Sequence, residues 1–237
     1  MKLAAAVLLA LFAAACSQHL YSPPTQAYQV APVHALDPDQ RAVDIDGSTH
    51  SQIFDPGYDA GSVRLRGGVG NDTELSLEAM SAIINSNSIS TASRGVYAGR
   101  GGVRINPGHG PFSFNAGIGG GFAPAAGTFA AIDGGVAVGY DNCYVVPVAS
   151  ASLFASQPLE ARAVDVTVDP DKPMTSTPER TAGATLRGGL RISLSPSACH
   201  AGHEAAWITA GFDVTSLVDA TSHAQLVGLG AGLTFPL

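Results

Sequence analysis

The chain has 237 residues with only 13% charged, 46% hydrophobic, 28 glycines and 15 prolines. Soluble globular domains carry about 25% charge, so this composition is unusual. The glycine and proline content excludes a helix bundle, and a net charge of -7 excludes a phosphate-binding surface and hence nucleic acid as partner.

The first element is an export signal. Met1-Lys2 is a minimal positive region, Leu3 to Phe12 is apolar, and Ala13-Ala14-Ala15-Cys16 closes the run with small residues. The run is too short for a bilayer-spanning helix, which takes about 20 apolar residues. Residues 1–16 resemble a bacterial lipoprotein signal, in which a lipobox ends in the cysteine that becomes lipidated; Ala13 stands where that family prefers Leu. The resemblance implies that Cys16 is lipidated after removal of residues 1–15. Ser17, in place of an inner-membrane retention aspartate, implies transport to the outer membrane. Cleavage at Ala13-Ala14-Ala15 by an ordinary signal peptidase is the alternative. Residues 16–40 are interrupted by proline and polar residues throughout, and read as a flexible tether behind the anchor.

From residue 62 the pattern alternates with period two. Val63, Leu65 and Val69 oppose Arg64 and Arg66; Leu75, Leu77 and Ala79 oppose Glu74, Ser76 and Glu78. Tyr97, Val103 and Ile105 oppose Arg100 and Arg104. Phe112, Phe114, Ile118 and Phe122 oppose Ser113, Asn115 and glycines. Ile132, Val136, Val138 and Tyr140 oppose Asp133, and Leu186, Leu190, Ile192 and Leu194 oppose Arg187 and Arg191. Ile208, Phe212 and Val214 oppose Thr209 and Asp213, and Val227 to Leu237 oppose a glycine row. Strict alternation over so many segments predicts sheet.

The polar face of these strands is mostly Gly, Ala and Ser with charges at intervals. That suits a narrow lumen, with the apolar face toward lipid, where a charge costs about 2–4 kcal/mol at the midplane. Phe112 and Phe122 are ten residues apart on one face. At about 3.3 Å per residue and a tilt near 40°, that separates them by roughly 25 Å in height, the spacing of two aromatic girdles.

Nine runs alternate well: 62–70, 73–82, 95–106, 112–122, 129–140, 144–156, 184–194, 205–216 and 225–237. Such barrels have an even strand number and short periplasmic turns. A strand must therefore precede residue 62, and 41–54 is the candidate, giving ten strands; eight is the alternative. The domain reading is a signal peptide over 1–15, a lipidated tether over 16–40 and an all-β, closed, antiparallel up-and-down transmembrane barrel over 41–237. The same parity places the connections carrying Cys143 and Cys199 on the periplasmic side. With Cys16 lipidated, these two are expected to form a disulfide in an oxidising compartment.

Residues 41–237 resemble small outer-membrane β-barrel proteins of Gram-negative bacteria. The features that carry the resemblance are Arg66-Gly-Gly-Val-Gly-Asn-Asp-Thr-Glu-Leu-Ser-Leu-Glu78, the glycine-alternating hairpins and the terminal strand ending Leu233-Thr-Phe-Pro-Leu237. In the family the last strand usually ends in an aromatic residue; here Phe235 lies two before Leu237. The resemblance implies outer-membrane lipid and the barrel-insertion and lipoprotein-export machineries as partners, and no single activity.

Chemistry is sparse. Cys199-His200-Ala201-Gly202-His203-Glu204 has zinc-ligand types but no firm fourth ligand, so no metal is assigned. The histidines His109, His200, His203 and His223 lie in connections, and no Gly-x-Ser-x-Gly elbow exists. No catalytic residue or cofactor is expected; a lipid A-modifying hydrolase is the enzymatic alternative. The most functional feature is the set of lumen charges: Arg64, Arg66, Glu74, Glu78, Arg100, Arg104, Asp133, Arg187, Arg191 and Asp213. They are expected to plug a barrel of side-chain width. A narrow anion-preferring channel is one alternative, and a soluble periplasmic barrel or sandwich binding an apolar ligand is another. These features together point to a non-enzymatic outer-membrane barrel lipoprotein with a structural or surface-contact role, its external ligand unknown.

Overall fold

The computed structural model describes residues 32–52, 57–85, 94–140, 142–165, 171, 175–200, 204–220 and 223–237. The signal segment, Cys16 and the tether as far as residue 31 lie outside the described residues, as does His203.

The sheet is a closed antiparallel barrel of ten strands. They are β1 (Arg41–Gln52), β2 (Gly57–Gly70), β3 (Thr73–Asn85), β4 (Gly95–Ile105), β5 (Phe112–Ala123), β6 (Gly127–Gly139), β7 (Val145–Ala161), β10 (Thr181–Ser193), β11 (Trp207–Val218) and β12 (His223–Pro236). Between β7 and β10, β8 (Val164–Asp165) and β9 (Thr175–Ser176) form a small separate hairpin. Each barrel strand pairs with its chain neighbours, and β1 closes the circle by pairing with β12, Ala42 opposite Pro236 and Ser51 opposite Val227. Closure leaves the barrel sheet without an unpaired edge, which an all-strand structure needs if lipid is to surround it.

The alternation of the sequence becomes the two sides of the wall. Leu77, Ile118, Leu153, Leu186 and Leu229 point out and are 63–69% exposed. Phe112 and Phe122 of β5 also point out. On the other side of the same strands, Arg64, Glu74, Arg104 and Asp213 are buried.

One end of the barrel gathers the start of β1, the tight β2–β3 turn, the Pro107–His109 turn, the β6–β7 turn, the short helix Pro196–His200 and the end of β12. Arg41 and Leu237 meet at this end, the Leu237 amide donating to the Arg41 carbonyl at 3.0 Å. Toward the opposite end the lumen turns apolar. Tyr58, Met80, Ile84, Val96, Phe129, Phe154, Leu217 and Leu226 form one buried cluster there.

The sequence runs 144–156 and 184–194 leave 157–183 between them, yet β7 runs on to Ala161 and Val164 is buried in the apolar cluster. Residues 32–40 are not free tether, since Val33, Ala35 and Leu36 are buried at 2–6% exposure.

Candidate functional site

The lumen site grows out of strand parity. Every second residue of β1 to β4 enters the lumen, and the residues there are Asp44, Asp46 and His50; Arg64 and Arg66; Glu74 and Glu78; and Arg100 and Arg104. A charge buried in this way is tolerated only when paired and hydrogen-bonded.

Arg66 is the centre of the lower network, its side chain fully buried. Its Nε donates to Asp44 Oδ2 at 2.9 Å and its Nη1 to Glu74 Oε2 at 2.9 Å. Its Nη2 donates to Asp44 Oδ1 at 3.3 Å and to Glu204 Oε1 at 3.4 Å. Asp44 also accepts from Arg64 Nε at 2.8 Å and from the Thr234 hydroxyl at 2.7 Å, so it ties β1, β2 and β12 together. The other oxygen of Glu74 accepts from Arg104 Nη1 at 2.8 Å. Arg191 lies 3.6 Å from Glu204 and stacks 4.5 Å above the Trp207 ring, a cation–π contact.

Higher in the lumen Arg100 reaches from β4 to β6. Its Nε and Nη2 donate to the two oxygens of Asp133 at 2.7 and 2.6 Å, a bidentate pair. It can do so because β5 has glycine in its path. A methyl group at Gly117 would overlap the Arg100 guanidinium, and one at Gly102 would overlap it too. The glycines are the space that long side chains from neighbouring strands occupy.

A third group sits where the charged lumen meets the apolar cluster. His50 Nε2 and Asp213 Oδ2 are 3.0 Å apart, and Tyr58 stacks on the imidazole at 4.3 Å. The hydroxyls of Thr185 and Thr215 are 3.0 Å apart beside Asp213. Gly228 makes room for the His50 ring.

The structure thus brings Arg64, Arg66, Glu74 and Arg104 into one cluster, Arg100 with Asp133, and Arg191 with the Glu204 carboxylate. Glu78 lies in register between Arg64 and Arg100. Arg187, half-buried, lies in register with Asp213 and Ser150. Asp44, Asp46, His50 and Glu204 join them without having been singled out from the sequence. For Asp44 and Asp46 the signal existed: they alternate with Val43 and Ile45. Glu204, weighed only as a metal ligand beside His200, instead faces arginines. His200 Nδ1 is 2.7 Å from the Pro196 carbonyl. Among the described residues no cluster of His, Cys, Asp or Glu is arranged to hold a metal ion.

Cys143 sits in the β6–β7 turn with a positive φ of 62°. Cys199 belongs to the helix Pro196–His200. The two connections touch: the Ser193 amide donates to the Tyr144 carbonyl at 2.8 Å, and the Tyr144 and His200 rings are 5.4 Å apart.

No protein-family model and no curated protein matches the sequence. Among solved structures the chain is similar to the N-terminal β-barrel domain of Pseudomonas aeruginosa OprF, at 12% identity and a TM-score of 0.36 over 82% of this chain and 97% of that one. It is similar to Neisserial surface protein A, at 14% and 0.36 over 82% and 94%. It is also similar to the β domain of the Bordetella autotransporter BrkA, at 11% and 0.46 over 85% and 100%. At these identities and scores no function carries across.

Proposed function

We propose that this protein is a non-enzymatic outer-membrane β-barrel, held additionally by lipid on Cys16, with a structural or surface-contact role in the cell envelope. The observation that carries the reading is the inverted polarity of the wall. Large apolar side chains on all ten strands face outward, for example Ile45, Leu65, Leu77, Ile105, Ile118, Ile132, Leu153, Leu190, Phe212 and Leu229, while arginines and carboxylates are buried within. A soluble barrel binding an apolar ligand would carry the opposite pattern.

On this reading short turns and both termini face the periplasm. The lumen is a plug rather than a channel. Its charges compensate one another at 2.6–2.9 Å across the Asp44, Glu74 and Asp133 carboxylates. The cavity of about 20 Å³ left among Arg64, Glu74, Arg100, Arg104 and Arg187 has room for about one water. Outer-membrane lipid and the insertion and lipoprotein-export machineries are the partners this placement requires.

Heat-modifiable gel migration and membrane fractionation test the reading. The native protein should need detergent for extraction, migrate faster before boiling and give no ohmic pore in a planar bilayer. A folded monomer stable in buffer without detergent would contradict the membrane assignment. A steady ohmic conductance would contradict the plug.

A further inference from the structure

The residues just before β1 cross the barrel mouth at the end where Arg41 and Leu237 meet instead of leaving it. Val33, Ala35 and Leu36 are 3%, 6% and 2% exposed. Val33 packs with Val146, Val148, Ala205 and Trp207 on the inner wall. The Leu36 amide donates to Glu74 Oε2 at 3.3 Å, so the segment is bonded to the charge network itself. Pro38 bridges Gly68 of β2 in parallel, and His34 Nε2 contacts the His109 carbonyl at 3.0 Å.

The wall is shaped to receive this segment. A methyl group at Gly68 would overlap the backbone carbonyls of Leu36 and Asp37, and one at Gly139 would lie 2.8 Å from Val33 Cγ2. A backbone carbonyl cannot swing aside as the end of a long side chain can. Gly68 is therefore a position where the absence of a side chain admits the segment.

We infer that residues 32–38 are an internal strap that stoppers this mouth of the lumen, seated in a receptacle formed by Gly68, Gly139, Glu74 and the Val146–Val148–Trp207 pocket. The strap closes one end, the arginine–carboxylate network fills the middle and the apolar cluster closes the other end. Only the compartment that this mouth faces rests on the membrane reading; the seating of the strap does not.

Thiol labelling of the intact, detergent-extracted protein tests it, with a water-soluble maleimide and Leu36→Cys compared with Asp39→Cys on the exposed part of the segment. A buried thiol reacts only through local opening, so Leu36→Cys should label roughly 100-fold more slowly than Asp39→Cys. Adding Gly68→Ala should bring Leu36→Cys to within a few-fold of Asp39→Cys, whereas Gly67→Ala, whose methyl meets nothing within 4 Å, should leave it slow. If Leu36→Cys fails to fold, acrylamide quenching of Trp207, the single tryptophan, gives the answer in the otherwise native chain: weak quenching that rises with Gly68→Ala alone. Equal labelling of positions 36 and 39, or labelling and quenching unchanged by Gly68→Ala, would overturn the strap. A barrel that proved soluble would leave these expectations standing while removing the membrane assignment.

Discussion

Arg100 and Asp133 give the sharpest stability prediction. Their side chains are 3% and 5% exposed and joined by two hydrogen bonds of 2.6–2.7 Å. Asp133→Ala leaves a buried guanidinium without its carboxylate, and Arg100→Ala leaves a buried carboxylate without its donor. Breaking such a pair by removing one partner costs about 3–5 kcal/mol. Glu78, in register with Arg100, offers a substitute carboxylate, which argues for the lower figure, about 3 kcal/mol for Asp133→Ala. The double variant removes both charges, so its cost should fall short of the summed single costs by about 2–3 kcal/mol. Gly117→Ala tests the same contact from outside the pair. Its methyl takes the volume of the guanidinium, so it should destabilise by about 2–3 kcal/mol through loss of the ion pair. Gly67→Ala, with open space around it, should stay within about 1 kcal/mol of native. The assay is urea unfolding of protein refolded into lipid vesicles, followed by Trp207 emission and by the fraction in the heat-modifiable band. Single costs below about 1 kcal/mol, or a double variant equal to the sum of the singles, would refute the claim that this pair is a mutually dependent part of the plug.

Asp44→Ala should be costlier than Asp133→Ala in the same urea assay. It strips a carboxylate from Arg64 and Arg66 together and leaves the Thr234 hydroxyl without its acceptor. We propose that Cys143 and Cys199 form a disulfide. The unfolded mature protein should take up iodoacetamide at these residues only after reduction, and alkylation of both beforehand would sink the pairing. Cys16→Ser should abolish metabolic incorporation of a labelled fatty acid while the barrel still shows heat-modifiable migration. Retained label would place the lipid elsewhere.

Much of the barrel was legible because two demands coincide in β2, β5 and β10. One face carries the large apolar residues, as in Phe112, Phe114, Ile118 and Phe122, and the other mostly small or charged ones, as in Ser113, Asn115 and the glycines. Period two is then unmistakable. It fades where the lumen itself becomes apolar. In Met80-Ser-Ala-Ile-Ile84, Ile83 is 57% exposed and Ile84 is 2% exposed, so neighbouring isoleucines face opposite sides and the pattern carries no polarity. That is why the alternating runs stop short of the observed strands, at 82 instead of Asn85 and at 156 instead of Ala161. Strand β1 was reached from the even strand number rather than from its own pattern. Its outward Thr49 and Ser51 dilute the apolar face, and so Asp44, the hub of the network, went unread. Glu204 had no local signal at all, since its partners Arg66 and Arg191 are set by barrel closure. The strap was hidden for a different reason. Val33, Ala35 and Leu36 are too few among prolines to suggest a core, and the room they occupy is made by glycines on distant strands, Gly68 above all.

The central claim is that the apolar face of the wall meets lipid and the charged face does not. Spin labels placed one at a time along β10 test it most directly, by collision with oxygen, which dissolves in lipid, and with a water-soluble nickel chelate. Labels at Leu186, Leu190 and Ile192, which are 46–63% exposed, should be reached by oxygen and shielded from nickel. Labels at Thr185 and Arg191, which are 2% and 4% exposed, should be shielded from both. Free access of nickel to the 186, 190 and 192 positions would contradict a lipid-facing wall.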